Sequence, residues 1–264
     1  MPNRTPGGNQ PMLMRSRMPD KAQIATPPAS GVALRVDALT KRYGPQTALA
    51  DVAFTVEAGE VLGLIGPNGA GKTTLLEAVA GVLPADSGTI FWHGAPLPPA
   101  LRRRSIFYLP DCLRPWRDQY VERVLAFFAG VYRTSDLDVA DTVRAVGLAP
   151  VLNKRVLALS KGYARRLMLA LALITPHPLL LMDEPFDGFD LRQTREIMDV
   201  LRKVAAQGRS LVLAIHQLLD ADRICDRFVL LAEGHVRGVG TLGDLRERAG
   251  ILSGGLEEVF LALT

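Results

Sequence analysis

The stretch GPNGAGKTT, Gly66 to Thr74, places glycines, one lysine and two threonines between two apolar runs. The run before it, Val61 to Ile65, has the composition of a buried strand. After it, Leu75, Leu76, Val79 and Ala80 fall on one helical face, and Gly81 suits a C-cap. Between a strand and a helix, the spacing G-x-x-x-x-G-K-[ST] makes a phosphate cradle. The loop from Gly66 and Pro67 through Asn68, Gly69, Ala70 and Gly71 can turn backbone N–H groups inward as an anion nest. The helix start at Lys72, Thr73 and Thr74 adds its dipole. Lys72 then reaches the outer phosphates, and the Thr73 hydroxyl is placed to bind Mg²⁺.

A second constellation is LLLMDEP, an apolar run that ends in Asp183 and Glu184. Carboxylates at the C-terminal end of a parallel strand face the crevice where ligands sit. Asp183 would hold the Mg²⁺ shell, and Glu184 would orient and deprotonate an attacking water. Between the two lies LSKGYARR, in which Ser160 and Gly162 can donate to an anion at a helix start. Read alone, that segment is a helix N-cap followed by a glycine.

The elements that must position these residues follow from periodicity. VALRVDAL and ALADVAFTVEAGE alternate as half-buried strands do. EVLGLI is the buried strand feeding the loop, and TIFWHG and SIFYLP are two further short strands. From about 118 the period turns helical: Val121, Val124, Leu125, Phe128 and Val131 repeat at helix spacing. SDLDVADTVRAVGL predicts a second helix, with Ser135 as N-cap and Asp138 completing an acidic capping box. A third follows LSKGY. LLLMD and LVLAIH are strands separated by the helix DLRQTREIMDVLRKVAAQG, and RFVLLAEG is another strand. The closing helix LEEVFLALT carries Leu256, Val259, Phe260 and Leu263 on one face. Strand–helix alternation on both sides of a helical insert, about 112–175, predicts an α/β fold with a mainly parallel sheet.

Composition narrows the class. With 264 residues, 48% hydrophobic and 22% charged, the chain reads as an ordinary globular protein. A net charge of +4 without a long basic run is not the footprint of a nucleic-acid binder. Cys112 and Cys225 have no metal-ligand spacing, so they read as free thiols of a reducing compartment. The longest apolar run, Leu167 to Met182, is interrupted by Pro176, His177 and Pro178, too short to cross a bilayer. Residues 1–31 lack periodicity and are expected to be disordered. Met12, Met14 and Met18 within that tail admit a translation start later than Met1.

Taken in order, these motifs resemble the ATP-binding subunit of ABC transporters, and the resemblance runs from about residue 32 to 264. GPNGAGKTT is similar to that family's Walker A, LLLMDEP to its Walker B and LSKGY to its signature. Tyr43 in KRYG resembles the aromatic that stacks on adenine, DGFD (Asp187 to Asp190) the D-loop, and His216 in LAIHQ the switch histidine at the γ-phosphate. The resemblance implies a P-loop NTPase (RecA-like) core with an N-terminal antiparallel β region and an inserted α-helical subdomain. It implies ATP and Mg²⁺ as ligands, with Glu184, His216 and Lys72 catalytic. It implies a pair of ATPase subunits, this chain twice or with a paralogue, in which Ser160 and Gly162 meet the partner's nucleotide. It also implies a separate transmembrane permease, which places the chain on the cytoplasmic face of the inner (plasma) membrane. The LSKGY form and the LEEVFLALT ending are most similar to exporter-type subunits.

Two departures stand out. Asp111 in YLPD occupies a position where the family usually has glutamine, and an aspartate there can still contact Mg²⁺ or water. Lys161 and Tyr163 replace the first Gly and the Gln of the usual signature LSGGQ, and Lys161 would bring a cation toward the partner's γ-phosphate if it points inward. A cytosolic ABC ATPase of translation or DNA repair would carry tandem cassettes or a coiled-coil insert. A non-hydrolysing ATP-dependent interaction module is a further alternative, prompted by Asp111 and the altered signature. A P-loop kinase would leave LSKGY and DGFD without a purpose.

Overall fold

The computed structural model describes residues 31–111, 113 and 115–264. The tail expected to be disordered (Gly31 apart), its methionines, Cys112 and Arg114 lie outside the described residues.

Two long strands open the fold, β1 (Val32–Tyr43) and β2 (Gln46–Glu57), and their alternating burial matches their alternating sequence. Then come β3 (Val61–Ile65), α1 (Lys72–Ala80), β4 (Ser87–Trp92), β5 (Ala95–Pro96), the single turn α2 (Pro99–Arg102) and β6 (Ile106–Leu109). The helical stretch holds α3 (Val121–Tyr132), α4 (Asp136–Ala145) and α5 (Lys161–Ile174). Alternation resumes with β7 (Leu179–Asp183), α6 (Leu191–Ala206), β8 (Ser210–Ile215), α7 (Leu218–Ile224) and β9 (Arg227–Ala232). The chain ends in β10 (His235–Gly240), α8 (Leu242–Ala249) and α9 (Leu256–Leu263).

These strands form two sheets. An antiparallel one has the order β2-β1-β4-β5, and a larger one the order β10-β9-β3-β8-β7-β6. In the larger sheet β9, β3, β8, β7 and β6 run parallel, and only the edge strand β10 is antiparallel. Parallel strands covered on both faces need apolar residues at every position. VLGLI and LLLMD are buried throughout for that reason.

Successive side chains then enter two different cores. Leu62 and Leu64 of β3, Leu179 and Leu181 of β7, and Val212 and Ala214 of β8 pack toward α1 and the antiparallel sheet. Their neighbours Ile65, Leu180, Met182, Leu211 and Leu213 pack toward α3, α5, α6 and α9. Truncating one such buried leucine to alanine costs about 2–5 kcal/mol.

The helices reflect their sequences. α6 buries Thr194, Ile197, Met198, Leu201 and Ala205, an i, i+3, i+4, i+7 stripe. Its N-terminus is closed by a capping box: Asp190 Oδ1 accepts from Gln193 N at 2.8 Å, and Gln193 Oε1 from Asp190 N at 3.4 Å. The box expected at Ser135 closes differently. The Ser135 hydroxyl accepts from Asp138 N at 3.2 Å, but donates to the Asp138 carboxylate at 2.7 Å. The segments of β10, α7 and α8 had no periodicity long enough to be read from sequence.

Candidate functional site

The strand ends of β3, β7 and β8 stop level with one another, because Ile65 pairs with Ile215 and Asp183 with Ala214. Each chemistry-bearing segment leaves from that edge: the glycine loop after β3, Glu184 after β7 and His216 after β8. β6 adds Asp111 two residues beyond Leu109, which pairs with Met182. Parallel register, rather than proximity in sequence, is what gathers them.

The loop's glycines are required by space. A Cβ at Gly66 would run into the Leu231 carbonyl oxygen of β9. At Gly71, where φ is +104°, a Cβ would sit 2.6 Å from the Ala48 carbonyl oxygen. No side chain caps α1 at Gly71, so the first N–H groups of the helix keep their donors for a ligand. Lys72 is buried and turns back on the loop, where its Nζ donates to Gly66 O at 2.6 Å and Pro67 O at 3.1 Å. Burial lowers its pKa, and the nearby Glu184 and Asp183 carboxylates oppose that. An ammonium that leans on two carbonyls suits an anionic ligand well.

Asp183, only 4% exposed, accepts from the Thr73 hydroxyl at 2.6 Å. Its pKa is raised, chiefly by burial, with a further push from Asp111 and relief from the Thr73 hydrogen bond, Lys72 and Arg165. A buried oxygen pair at the end of a phosphate loop, with its carboxylate costly to ionise, fits a hard cation such as Mg²⁺. Among the described residues, no cluster of three or more His, Cys, Asp or Glu forms a metal site without help from other ligands.

Glu184 adopts φ +49°, a left-handed conformation that costs a non-glycine residue roughly 1–2 kcal/mol. Its backbone N–H is anchored to Ala214 O at 3.0 Å, and its Oε2 lies 2.5 Å from His216 Nδ1. Strain held in place by neighbours at such a position is a mark of a functional site.

A cleft of about 720 Å³ brings these groups together. Tyr43, Asn68, Gly69, Gly71, Lys72, Thr73 and Thr74 line it, with Asp111, Asp183 and Glu184. Gly66, Pro67 and Ala70 form the loop behind, and His216 reaches the cleft through Glu184. The volume suits one small ligand. Ser160 and Gly162 stand apart, at the start of α5: the Ser160 hydroxyl accepts from Tyr163 N at 3.4 Å as an N-cap. Lys161 is exposed but paired within the chain. Its Nζ pairs with Asp187 at 2.8 Å, and its stem crosses Gly188.

The cleft also contains residues that sequence reasoning missed. Glu233 and Gly234 line it from the turn between β9 and β10, beside Gln46 and Thr47. Gly234 N donates to Ala70 O at 3.1 Å, so this turn buttresses the glycine loop. Positive φ at both residues, +49° and +76°, matches a tight hairpin, whose local signal is the Glu-Gly pair.

Comparison with known proteins gives the family. Residues 49–187 match the family described as ABC transporter. The chain is 36% identical over 210 residues to the Nod factor export ATP-binding protein I of Rhizobium meliloti, covering 77% of this chain and 63% of that one. It is 29% identical to an ABC transporter ATP-binding protein of Methanocaldococcus jannaschii, over 80% of this chain and 79% of that one. The solved structure of an ATP-binding subunit of an ABC transporter superposes with a TM-score of 0.80 at 32% identity, covering 88% of this chain and 99% of the other. Proteins of this kind bind ATP and hydrolyse it to power transport. The chain therefore belongs to the ABC transporter family, among its ATP-binding subunits.

Proposed function

We propose that this chain binds ATP with Mg²⁺ in the cleft, hydrolyses it, and closes on a second ATPase subunit so as to drive a separate transmembrane permease. The observation that carries this reading is the pairing of Thr73 with Asp183 and of Glu184 with His216 beside Lys72 in one cleft.

Lys72 exchanges the Gly66 and Pro67 carbonyls for phosphate oxygens. Tyr43, half exposed at the end of β1, offers a face for the adenine. Thr73 and Asp183 would hold Mg²⁺, which neutralises charge on the phosphates. Glu184 accepts a proton from the attacking water, and His216 keeps its carboxylate oriented. Asp111 lies on the same rim, where it can touch the metal's water shell.

Ser160 and Gly162 sit outside their own cleft, so they serve the nucleotide of the opposing subunit, either a second copy or a paralogue. Among the described residues no helix is long and apolar enough to cross a membrane, so the span belongs to the permease. Trp116, 52% exposed, packs edge-on against the exposed Phe127 at 4.9 Å. That apolar face of α3 is where we place the permease contact on the cytoplasmic side. Light scattering of Glu184→Gln with ATP tests the assembly. A nucleotide-dependent doubling of mass is expected; a monomer at saturating ATP, alone and with the permease, overturns it.

A further inference from the structure

Asp111 brings a negative charge to a cleft that already holds Asp183 and Glu184. One cation that pairs with it comes from outside the cleft. Arg165, on α5 and only 6% exposed, donates from Nη2 to Asp111 Oδ1. The same nitrogen lies 3.8 Å from Asp187 Oδ2, in the turn after β7. Asp187 also holds Lys161 Nζ at 2.8 Å, so two α5 cations converge on one carboxylate.

Arg165 spends its charge differently from the half-buried Arg209. Arg209 spends its guanidinium on the carbonyls of His177, Leu173 and Ala172, which close the end of α5. Arg165 instead faces carboxylates of two cleft loops, and its Nη1 is buried with no hydrogen-bond partner among the described residues. A guanidinium cannot shed its proton, so burial leaves it dependent on these anions. Asp187 is three residues beyond Glu184, and Asp187 N donates to Glu184 O at 3.1 Å. One buried cation thus ties Asp111 to the turn that carries Glu184.

We propose that Arg165 is a positioning residue for ATP hydrolysis: with Asp111 it forms a charged pair in place of a neutral glutamine, and it holds the Asp187 turn in register with the cleft. The inference rests on the ATPase reading above. It assigns Asp111 a fixed partner in α5, through which the cleft and the signature helix move together.

The test is a cycle on the full chain: wild type, Arg165→Gln, Arg165→Lys, Asp111→Gln and the double Asp111→Gln/Arg165→Gln. Turnover and KM for ATP are measured, together with the ATP-induced fluorescence change of Trp116 in a Trp92→Phe background. Arg165→Gln should lower kcat on the order of tenfold with little change in KM. Measured against Asp111→Gln, whose own loss reports the carboxylate's part in the cleft, the double should lose little further kcat, and Arg165→Lys should recover part of the loss seen in Arg165→Gln. The Trp116 response should fade in Arg165→Gln and return in the double. If Arg165→Gln does not fold, the double compared with Asp111→Gln decides, because a purely structural arginine would leave the double unfolded too. The proposal is overturned by a kcat of Arg165→Gln within about twofold of wild type, by an equal fold-loss from Arg165→Gln in the wild-type and Asp111→Gln backgrounds, or by an unaltered Trp116 response. Wild type that answers ATP at Trp116 without turnover counts against the hydrolysis reading instead, and the fluorescence cycle then decides the role of Arg165.

Discussion

His216 Nδ1 lies 2.5 Å from Glu184 Oε2, a hydrogen bond that ties the imidazole after β8 to the carboxylate after β7. That contact holds a strained residue in one orientation. His216→Ala should leave ATP affinity near wild type and lower kcat on the order of a hundredfold, the scale at which a misplaced reacting group matters. Steady-state kinetics read this directly: a raised KM with unchanged kcat would assign His216 to binding alone.

Lys72 is the charged side chain of the glycine loop and, in the proposed function, the one that meets the phosphates. Removing it deletes charge-assisted hydrogen bonds worth about 1.5–3 kcal/mol each. Lys72→Ala should therefore weaken ATP binding roughly 10- to 100-fold, as measured by titration calorimetry. Equal affinity before and after would contradict the cradle.

Asp183 gives the clearest pH signature. Its folded pKa is raised above the ordinary 3.8, so the proton is bound more tightly folded than unfolded. The stability present below 3.8 is lost as pH rises through the folded value, and the ionised group is a burden at neutral pH. Asp183→Asn, which can still accept from Thr73, should raise the melting temperature of the nucleotide-free protein at pH 7. The gain should shrink as pH is lowered toward 4, while Mg²⁺-dependent ATP turnover is lost. A melting temperature lowered at pH 7 would contradict this account of the burial.

The parts of the site that could be read from sequence are those whose chemistry and context are contiguous. The glycine loop lies between a five-residue apolar strand and a helix, and the Asp183–Glu184 pair ends another such strand. Both strands are buried on two faces, which makes their runs unmistakable. What escaped is set by pairing across the sheet. The Glu233–Gly234 turn reaches the loop because β9 lies beside β3, a neighbour relation with no local signature. Asp187, 2.8 Å from Lys161, is a partner within the chain that no local pattern in LSKGY announces. Arg165 has no local signal in LSKGYARR, because its partner Asp111 lies 54 positions away.

The central claim is that Glu184 activates water in a cleft that binds ATP without its help. The most direct measurement is Mg²⁺-dependent phosphate release by wild type and Glu184→Gln, with ATP affinity determined for both. The account predicts equal affinity, release by wild type and none by the variant. Release by Glu184→Gln at the wild-type rate would contradict it.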